Sequence, residues 1–210
     1  MKKEDTIKEQ FKQALISTAK VISDDYKLDL KENNNFSSKN FNFFELDNLN
    51  SKQDFIRYRA ETDSAALKKK FSNEKIYKKN TPTNSKCKIL YDISERVRYE
   101  LLGSKMLKGI SKNFNSNYNY KISVKRKDQL KSKDDVNIAE AFELYMLKNF
   151  FKIKLNPLSQ EILNYWEKDF KKSLDKHINY LKNNLENQNE YNSKFSKILS
   201  EMEIFDSDND

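Results

Sequence analysis

The sequence has very little glycine and proline, with two of each in 210 residues. Sheet proteins need many tight turns, and tight turns use glycine and proline heavily. The shortage therefore argues against a sheet protein and favours helices. Cysteine is equally scarce. Cys87 is the only one, so an intramolecular disulfide framework is excluded.

Long apolar runs are also missing. No stretch approaches the roughly 20 apolar residues that are needed to cross a bilayer. The opening residues, MKKEDTIKEQFKQALIS, never reach the uninterrupted apolar region of a secretory signal. We therefore expect no membrane contact and a cytoplasmic location.

The residues of common catalytic sites are sparse. A metal site needs three or four ligands, and the chain has one histidine, His177, beside its one cysteine. The glycines Gly103 and Gly109 do not follow the phosphate-loop order G-x-x-x-x-G-K-[ST], so we interpret them as allowing close helix packing or ending a helix. We expect no cofactor on this chain and no catalytic site of its own. The enzymatic alternative is a nucleophilic pair of Cys87 and His177, for which no local motif exists.

Charged and aromatic residues are abundant. The charged fraction is 34%, the formal net charge is +8, and 14 Phe and 11 Tyr supplement a modest apolar fraction of 37%. Because the lysines are interleaved with Glu and Asp, they indicate solvated faces, and nucleic-acid binding is the less favoured interpretation. The alternative function is nonetheless a basic helical nucleic-acid-binding protein, with Lys121–Lys133 as a phosphate-contacting loop and steeply salt-dependent binding.

Apolar periodicity predicts a mainly α, single helical domain of about five to six helices. We place an N-terminal helix at 1–25, an irregular Asn/Ser/Phe-rich segment at 26–51 and the helical core at 52–185. A C-terminal helical extension follows at 186–205, and its apolar stripe could dock on the core or on a partner. Residues 206–210 indicate the start of an acidic linker.

Within the core, three further expectations concern individual segments. One continuous helix is expected from about Lys52 to Lys78. The polar, basic stretch Asn115–Lys133 is expected to be a long loop or a short hairpin. The helix Asn137–Phe150 is apolar on most sides, which is typical of a central helix.

Arginine is concentrated in two helical segments, Arg57–Tyr77 and Asp92–Phe114, which hold four of the five arginines. Arginine can hold a carboxylate with two parallel hydrogen bonds and tolerates burial better than lysine. We therefore expect a charged seam between two packed helices, with Arg98 coupled to Asp63, or a docking surface for another subunit. The candidate residues are Arg57, Arg59, Glu61, Asp63, Glu95, Arg98 and Glu100.

These segments also follow two spaced patterns. The first reads Arg59-Ala60-Glu61-Thr62-Asp63-Ser64-Ala65-Ala66-Leu67-Lys68, and the second carries Asp92, Glu95, Arg98, Glu100, Gly103, Gly109 and Asn113. Together they resemble the N-terminal region of the CobT-type subunit of the aerobic, ATP-dependent cobaltochelatase. Family members continue through an acidic linker into a von Willebrand A-type domain. Its D-x-S-x-S motif is not present here, so the resemblance implies the N-terminal portion of that subunit.

The resemblance implies a non-catalytic assembly role in cobalamin biosynthesis. The expected partners are an AAA+ chelatase ATPase subunit and a large corrin-binding chelatase subunit, which together insert cobalt into the corrin ring. ATP, magnesium and cobalt would be used by the complex and not bound by this chain.

Overall fold

The computed structural model describes residues 2–27, 49, 51–124 and 132–202, with side chains from residue 6 onward. No strand occurs in this part of the chain, so the mainly α, single-domain prediction is confirmed. The helices are α1 (Lys2–Ser23), α2 (Lys52–Phe71), α3 (Glu74–Asn80), α4 (Ser85–Met106), α5 (Lys108–Ser123), α6 (Ile138–Met146), α7 (Pro157–Leu174), α8 (Ile178–Asn183) and α9 (Gln188–Ser200). They are shorter and more numerous than the five or six expected.

The helix expected over Lys52–Lys78 is divided into α2 and α3. Helix α2 begins at a capping box formed by Ser51 and Asp54. It ends at Phe71, and Asn73 then caps α3 by accepting hydrogen bonds from the first backbone N–H groups of that helix. Asparagine is a strong N-cap because its side-chain oxygen satisfies N–H groups that lack a helical partner. The continuous helix was therefore a wrong prediction.

A loop or hairpin was expected over Asn115–Lys133. As far as Ser123 this prediction is wrong, because α5 continues to that residue. Helix α5 buries Ile110, Phe114, Tyr118 and Ile122, which are spaced by four residues. Side chains at that spacing lie on one face of a helix, so an amphipathic stripe forms despite the many asparagines.

Helix α6 lies at the centre of the fold, as its apolar sequence predicts. Phe142 and Tyr145 are completely buried, and the Phe142 ring packs edge-on against Phe170 of α7 and Phe195 of α9. A turn of π-helix, Leu147–Phe151, continues α6. Asn156 and Pro157 then start α7, with proline in the first turn where its missing N–H costs nothing.

The apolar stripe of α9 docks on the core and not on a partner. Tyr191, Phe195 and Leu199 are fully buried, and α9 packs against α3 and α4. The Tyr191 hydroxyl donates a hydrogen bond to the backbone carbonyl of Ser94 in α4 at 3.1 Å. Helix α9 thus shares one hydrophobic core with α4, α6 and α7.

Helix α1 is attached through α2. Phe11 and Leu15 form a separate small cluster with Phe55, Tyr58 and Leu49. Further along α1, Ala19 and Ile22 belong to the main core, so the helix packs against both clusters.

Two of the sequence expectations fall largely or wholly outside the described residues. They are the irregular segment 26–51, apart from its ends, and the acidic linker 206–210. Among the helices that the structure describes, none combines the length and the apolar character needed to span a membrane.

Candidate functional site

Arg98 is 1% exposed and joins three parts of the fold. Its guanidinium holds Glu95 with two hydrogen bonds, Nε to Oε2 and Nη2 to Oε1, each 2.8 Å. Nη2 also donates to the carbonyl of Phe71 at 2.6 Å, and Nη1 donates to the carbonyl of Leu185 at 2.8 Å. Those carbonyls belong to the end of α2 and to the loop before α9. Arg98 therefore ties α2, α4 and that loop together.

Two polar side chains complete this Arg98 junction. Ser72 donates its hydroxyl to Glu95, and Gln188 donates Nε2 to the same carboxylate at 3.1 Å. Gln188 also pairs with the backbone of Asn73, accepting from its N–H at 2.7 Å and donating to its carbonyl at 3.3 Å. The buried Glu95 carboxylate is thus fully hydrogen-bonded, which a buried charge requires.

A second buried carboxylate, Glu100, lies between α2, α4 and α5. Ser64 donates to Glu100 Oε1 at 2.6 Å, and the Tyr118 hydroxyl donates to Oε2 at 2.5 Å. Burial raises the pKa of Glu100, while the nearby Arg96 guanidinium and the two hydrogen bonds act in the opposite direction. Arg96 also pairs with Glu143 of α6 at 2.9 Å.

Asp63 on α2 faces α5 and not Arg98. Asn113 donates to Asp63 Oδ2 at 2.7 Å, and within the described residues Oδ1 has no hydrogen-bond partner. Burial raises the pKa of Asp63, opposed by Asn113 and by the charge of Arg59. No direct hydrogen bond joins Arg98 to Asp63, because Arg98 is engaged with Glu95 and Asp63 with Asn113.

The remaining candidates lie nearer the surface of α2. Arg57 is 3.2 Å from Asp54 one turn earlier, and its side chain is 42% exposed. Arg59 is exposed and lies over the Phe11 ring of α1, 5.7 Å from its centroid. Glu61 is half-buried. The seven residues thus divide into a buried group that joins helices and an outer group on α2.

Gly103 is required by the packing of α4 on α2. A Cβ atom at this position would lie 2.3 Å from Leu67 Cδ1, closer than carbon atoms approach. The interpretation of Gly103 as a packing glycine is confirmed. Gly109 is different, since nothing lies within 4 Å of a Cβ there.

The two sequence patterns therefore interlock residue by residue. Asp63 meets Asn113, Ser64 meets Glu100, and Leu67 meets Gly103.

The family model described as cobalamin biosynthesis protein CobT matches residues 5–210. The chain belongs to the CobT family. Family membership gives this CobT chain a role in cobalamin biosynthesis. No solved structure matches it.

Sequence reasoning missed several residues of the two buried junctions in this CobT chain. Tyr118 and Gln188 are the clearest, because no local motif marks either of them. The spacing of Ile110, Phe114, Tyr118 and Ile122 could have placed Tyr118 on a buried helix face. Gln188 is separated from Glu95 by 93 residues, so only the tertiary structure could reveal their contact.

Cys87 and His177, the pair of the enzymatic alternative, lie in different elements of the fold. The buried Cys87 thiol lies 3.6 Å from the Leu199 carbonyl, and burial raises its pKa, which disfavours the thiolate nucleophile. His177 borders a cavity of about 160 Å³ between α7 and α9, and burial with the nearby Lys194 and Lys176 lowers its pKa. Among the described residues, no cluster of His, Cys, Asp or Glu is suited to a metal ion.

Proposed function

We propose that this chain is a non-catalytic assembly module of a cobaltochelatase. In this proposal it works with an AAA+ ATPase subunit and a large corrin-binding subunit, which carry out ATP-dependent cobalt insertion into the corrin ring. Membership of the CobT family supports a role in cobalamin biosynthesis. The assembly role is supported by one observation: residues of the two sequence patterns contact each other and hold helices together.

The buried residues of the patterns act as a structural frame. Arg98 connects α4 to the end of α2 and to the loop before α9, while Glu100 connects α4 to α2 and α5. A frame of this kind holds its outer surfaces at fixed relative positions. Fixed surfaces favour binding because less freedom is lost when partners associate.

The first test is co-purification of this chain with the ATPase subunit and with the large subunit, each with and without ATP. We expect specific binding to at least one of them. Arg98→Ala should weaken it by disturbing the frame, and the control is Lys78→Ala, which removes an exposed cation on α3 that is not among the candidate residues. Circular dichroism and thermal melts establish which variants remain folded. A folded wild-type chain that binds neither subunit would contradict the proposal.

A second test concerns the cofactors, which the proposal assigns to the complex. Isothermal titration of the chain alone with Co²⁺, and separately with ATP and Mg²⁺, is expected to show no saturable heat of binding. Saturable binding at one site would give this chain a chemical role that the proposal does not include.

A further inference from the structure

The corner between α4 and α5 presents adjacent apolar side chains to solvent. Met106 is 40% exposed and Leu107 is 46% exposed. Exposed lysines flank them on both sides, and a third lysine follows one turn into α5. We define the α4–α5 corner as Lys105, Met106, Leu107, Lys108 and Lys112.

The corner is positively charged without local compensation. The sequence has no acidic residue between Glu100 and Asp128. Among the residues that the structure describes, no ion pair involves the three lysines of the corner. Some other lysines do have a partner, as Lys148 has in Glu167. Three like charges close together attract an anionic partner and repel a cationic one.

The corner has a defined shape. The Leu107 N–H bonds to the Gly103 carbonyl at 3.0 Å, which closes α4, and the Ile110 N–H bonds to the Leu107 carbonyl at 3.1 Å, which opens α5. Ile110 is itself buried in the core. The exposed side chains are thus carried on an anchored turn, where binding requires little backbone ordering.

Scattered exposed apolar side chains are normal, but here two adjacent ones have an exposed lysine before them, one after them and a third one turn further on. We propose that the α4–α5 corner docks a polypeptide segment of a partner protein that carries acidic side chains around one or two apolar ones. The carboxylates would pair with the lysines, and the apolar side chains would cover Met106 and Leu107. Methionine adapts well to such contacts because its side chain is flexible and polarizable.

A nucleic acid fits the corner less well. Its phosphates would pair with the lysines, yet Met106 and Leu107 would gain no matching contact. Proteins that bind single strands add aromatic side chains on which bases stack, and the corner contains none. The apolar pair is therefore the feature that favours a peptide.

The test uses fluorescein-labelled peptides and the full chain, measured by fluorescence anisotropy. The first probe is a short peptide that carries two leucines between glutamates, the chemistry that the proposal assigns to the partner. A second probe replaces each leucine with serine. A third probe is a single-stranded oligonucleotide of equal charge.

The corner variant is Lys105→Gln with Leu107→Ser, in which serine provides an N-cap for α5 and so favours folding. The control is Lys88→Gln with Ile89→Ser, near the other end of α4. Lys88 and Ile89 are exposed as well, so the control also removes one lysine charge and one exposed apolar side chain, but away from the corner.

We expect the leucine-bearing peptide to bind the wild-type chain and the control equally, and the corner variant about tenfold more weakly, as for loss of a central interface contact. The leucine-free peptide should bind more weakly than the first, and added salt should weaken both. Equal binding by the corner variant and the control would overturn the proposal. So would failure of the leucine-bearing peptide to bind, or preferential binding of the oligonucleotide. None of these results depends on the chelatase subunits, so their co-purification is judged separately.

Discussion

Arg98 is a fully buried cation whose charge is balanced by one carboxylate and two backbone carbonyls. Removing the charge from water is expensive, and the hydrogen bonds offset that cost only while all partners are present. Loss of Arg98 would leave the Glu95 carboxylate buried with no countercharge from its own helix. The residue therefore matters more for the integrity of the fold than its surface neighbours do.

We expect Arg98→Met to lower the free energy of unfolding by about 3–5 kcal/mol, the usual result of breaking a buried ion pair. Arg57→Met, which removes a partly exposed pair, should cost less than about 1 kcal/mol. Urea unfolding followed by circular dichroism measures both. A similar, small effect of the two substitutions would show that the Arg98 junction does not stabilise the fold.

Double-mutant cycles locate the partner of Arg98. Coupling of Arg98 with Glu95 should be clearly measurable, because the two groups share two hydrogen bonds. Coupling of Arg98 with Asp63 should be near zero, because Asp63 bonds to Asn113 instead. Strong coupling of Arg98 with Asp63 and none with Glu95 would instead support the charged seam that the sequence predicts.

Glu100 makes the stability depend on pH. Burial raises its pKa above the usual value of 4.5, so the folded protein binds this proton more tightly than the unfolded chain does. By linkage, the contribution of Glu100 to stability is greatest in acid and declines as the pH rises from the unfolded pKa to the folded pKa. Below the unfolded pKa both states are protonated, and no dependence remains.

We expect the stability of Glu100→Gln relative to the wild-type chain to increase as the pH rises through that interval, by at most about 1.4 kcal/mol per pH unit. Glutamine cannot titrate, so the difference reports Glu100 alone. The measurement is urea unfolding over a pH series, with the exposed Glu161→Gln as control. A difference that stays constant with pH would contradict the assignment.

At the scale of elements, α2 and α4 approach closely because Gly103 lacks a side chain. Leu67 is fully buried at the point of contact, and its methyl groups occupy the space where a Cβ would lie. Leu67 has no free space to move into, so an added methyl group at Gly103 must displace part of a packed interface.

Gly103→Ala should therefore destabilise the protein by about 1–3 kcal/mol, the usual cost of overpacking. Gly109→Ala should leave stability unchanged or raise it by up to about 1 kcal/mol, since the added methyl group meets nothing and alanine favours helix. Thermal melts of the two variants compare a packed glycine with an open one. If Gly103→Ala is as stable as Gly109→Ala, the packing of α4 on α2 does not require a glycine at position 103.

At the scale of the whole molecule, α9 belongs to the same core as the preceding helices. It contributes the buried side chains of Tyr191, Phe195, Ile198 and Leu199. Burial of each such side chain is worth about 1.5–3 kcal/mol. Their sum is comparable with the whole stability of a typical domain, about 5–15 kcal/mol.

A chain that ends at residue 185 is therefore expected to lose cooperative unfolding, even though the sequence alone suggests a division there. A chain that ends at residue 202 keeps α9 and should unfold cooperatively. Calorimetry or circular dichroism separates the two results. A cooperative transition for the chain ending at 185 would show that 52–185 is an independent core with an extension.

The prediction of secondary structure succeeded where one physical signal dominated. The apolar sequence of α6 placed it at the centre, and the scarcity of glycine and proline indicated helices. It failed where local signals competed. At Asn73 an N-cap outweighed a continuing helical pattern, and in α5 four evenly spaced apolar residues outweighed a polar composition.

The sequence by itself determined the helical class and the family. These depend on composition and on spacing within one or two helices. Only the tertiary structure decided the partners of the buried charges. Arg98 bonds to carbonyls that lie 27 and 87 residues away, and contacts at such separations form only when distant helices pack together.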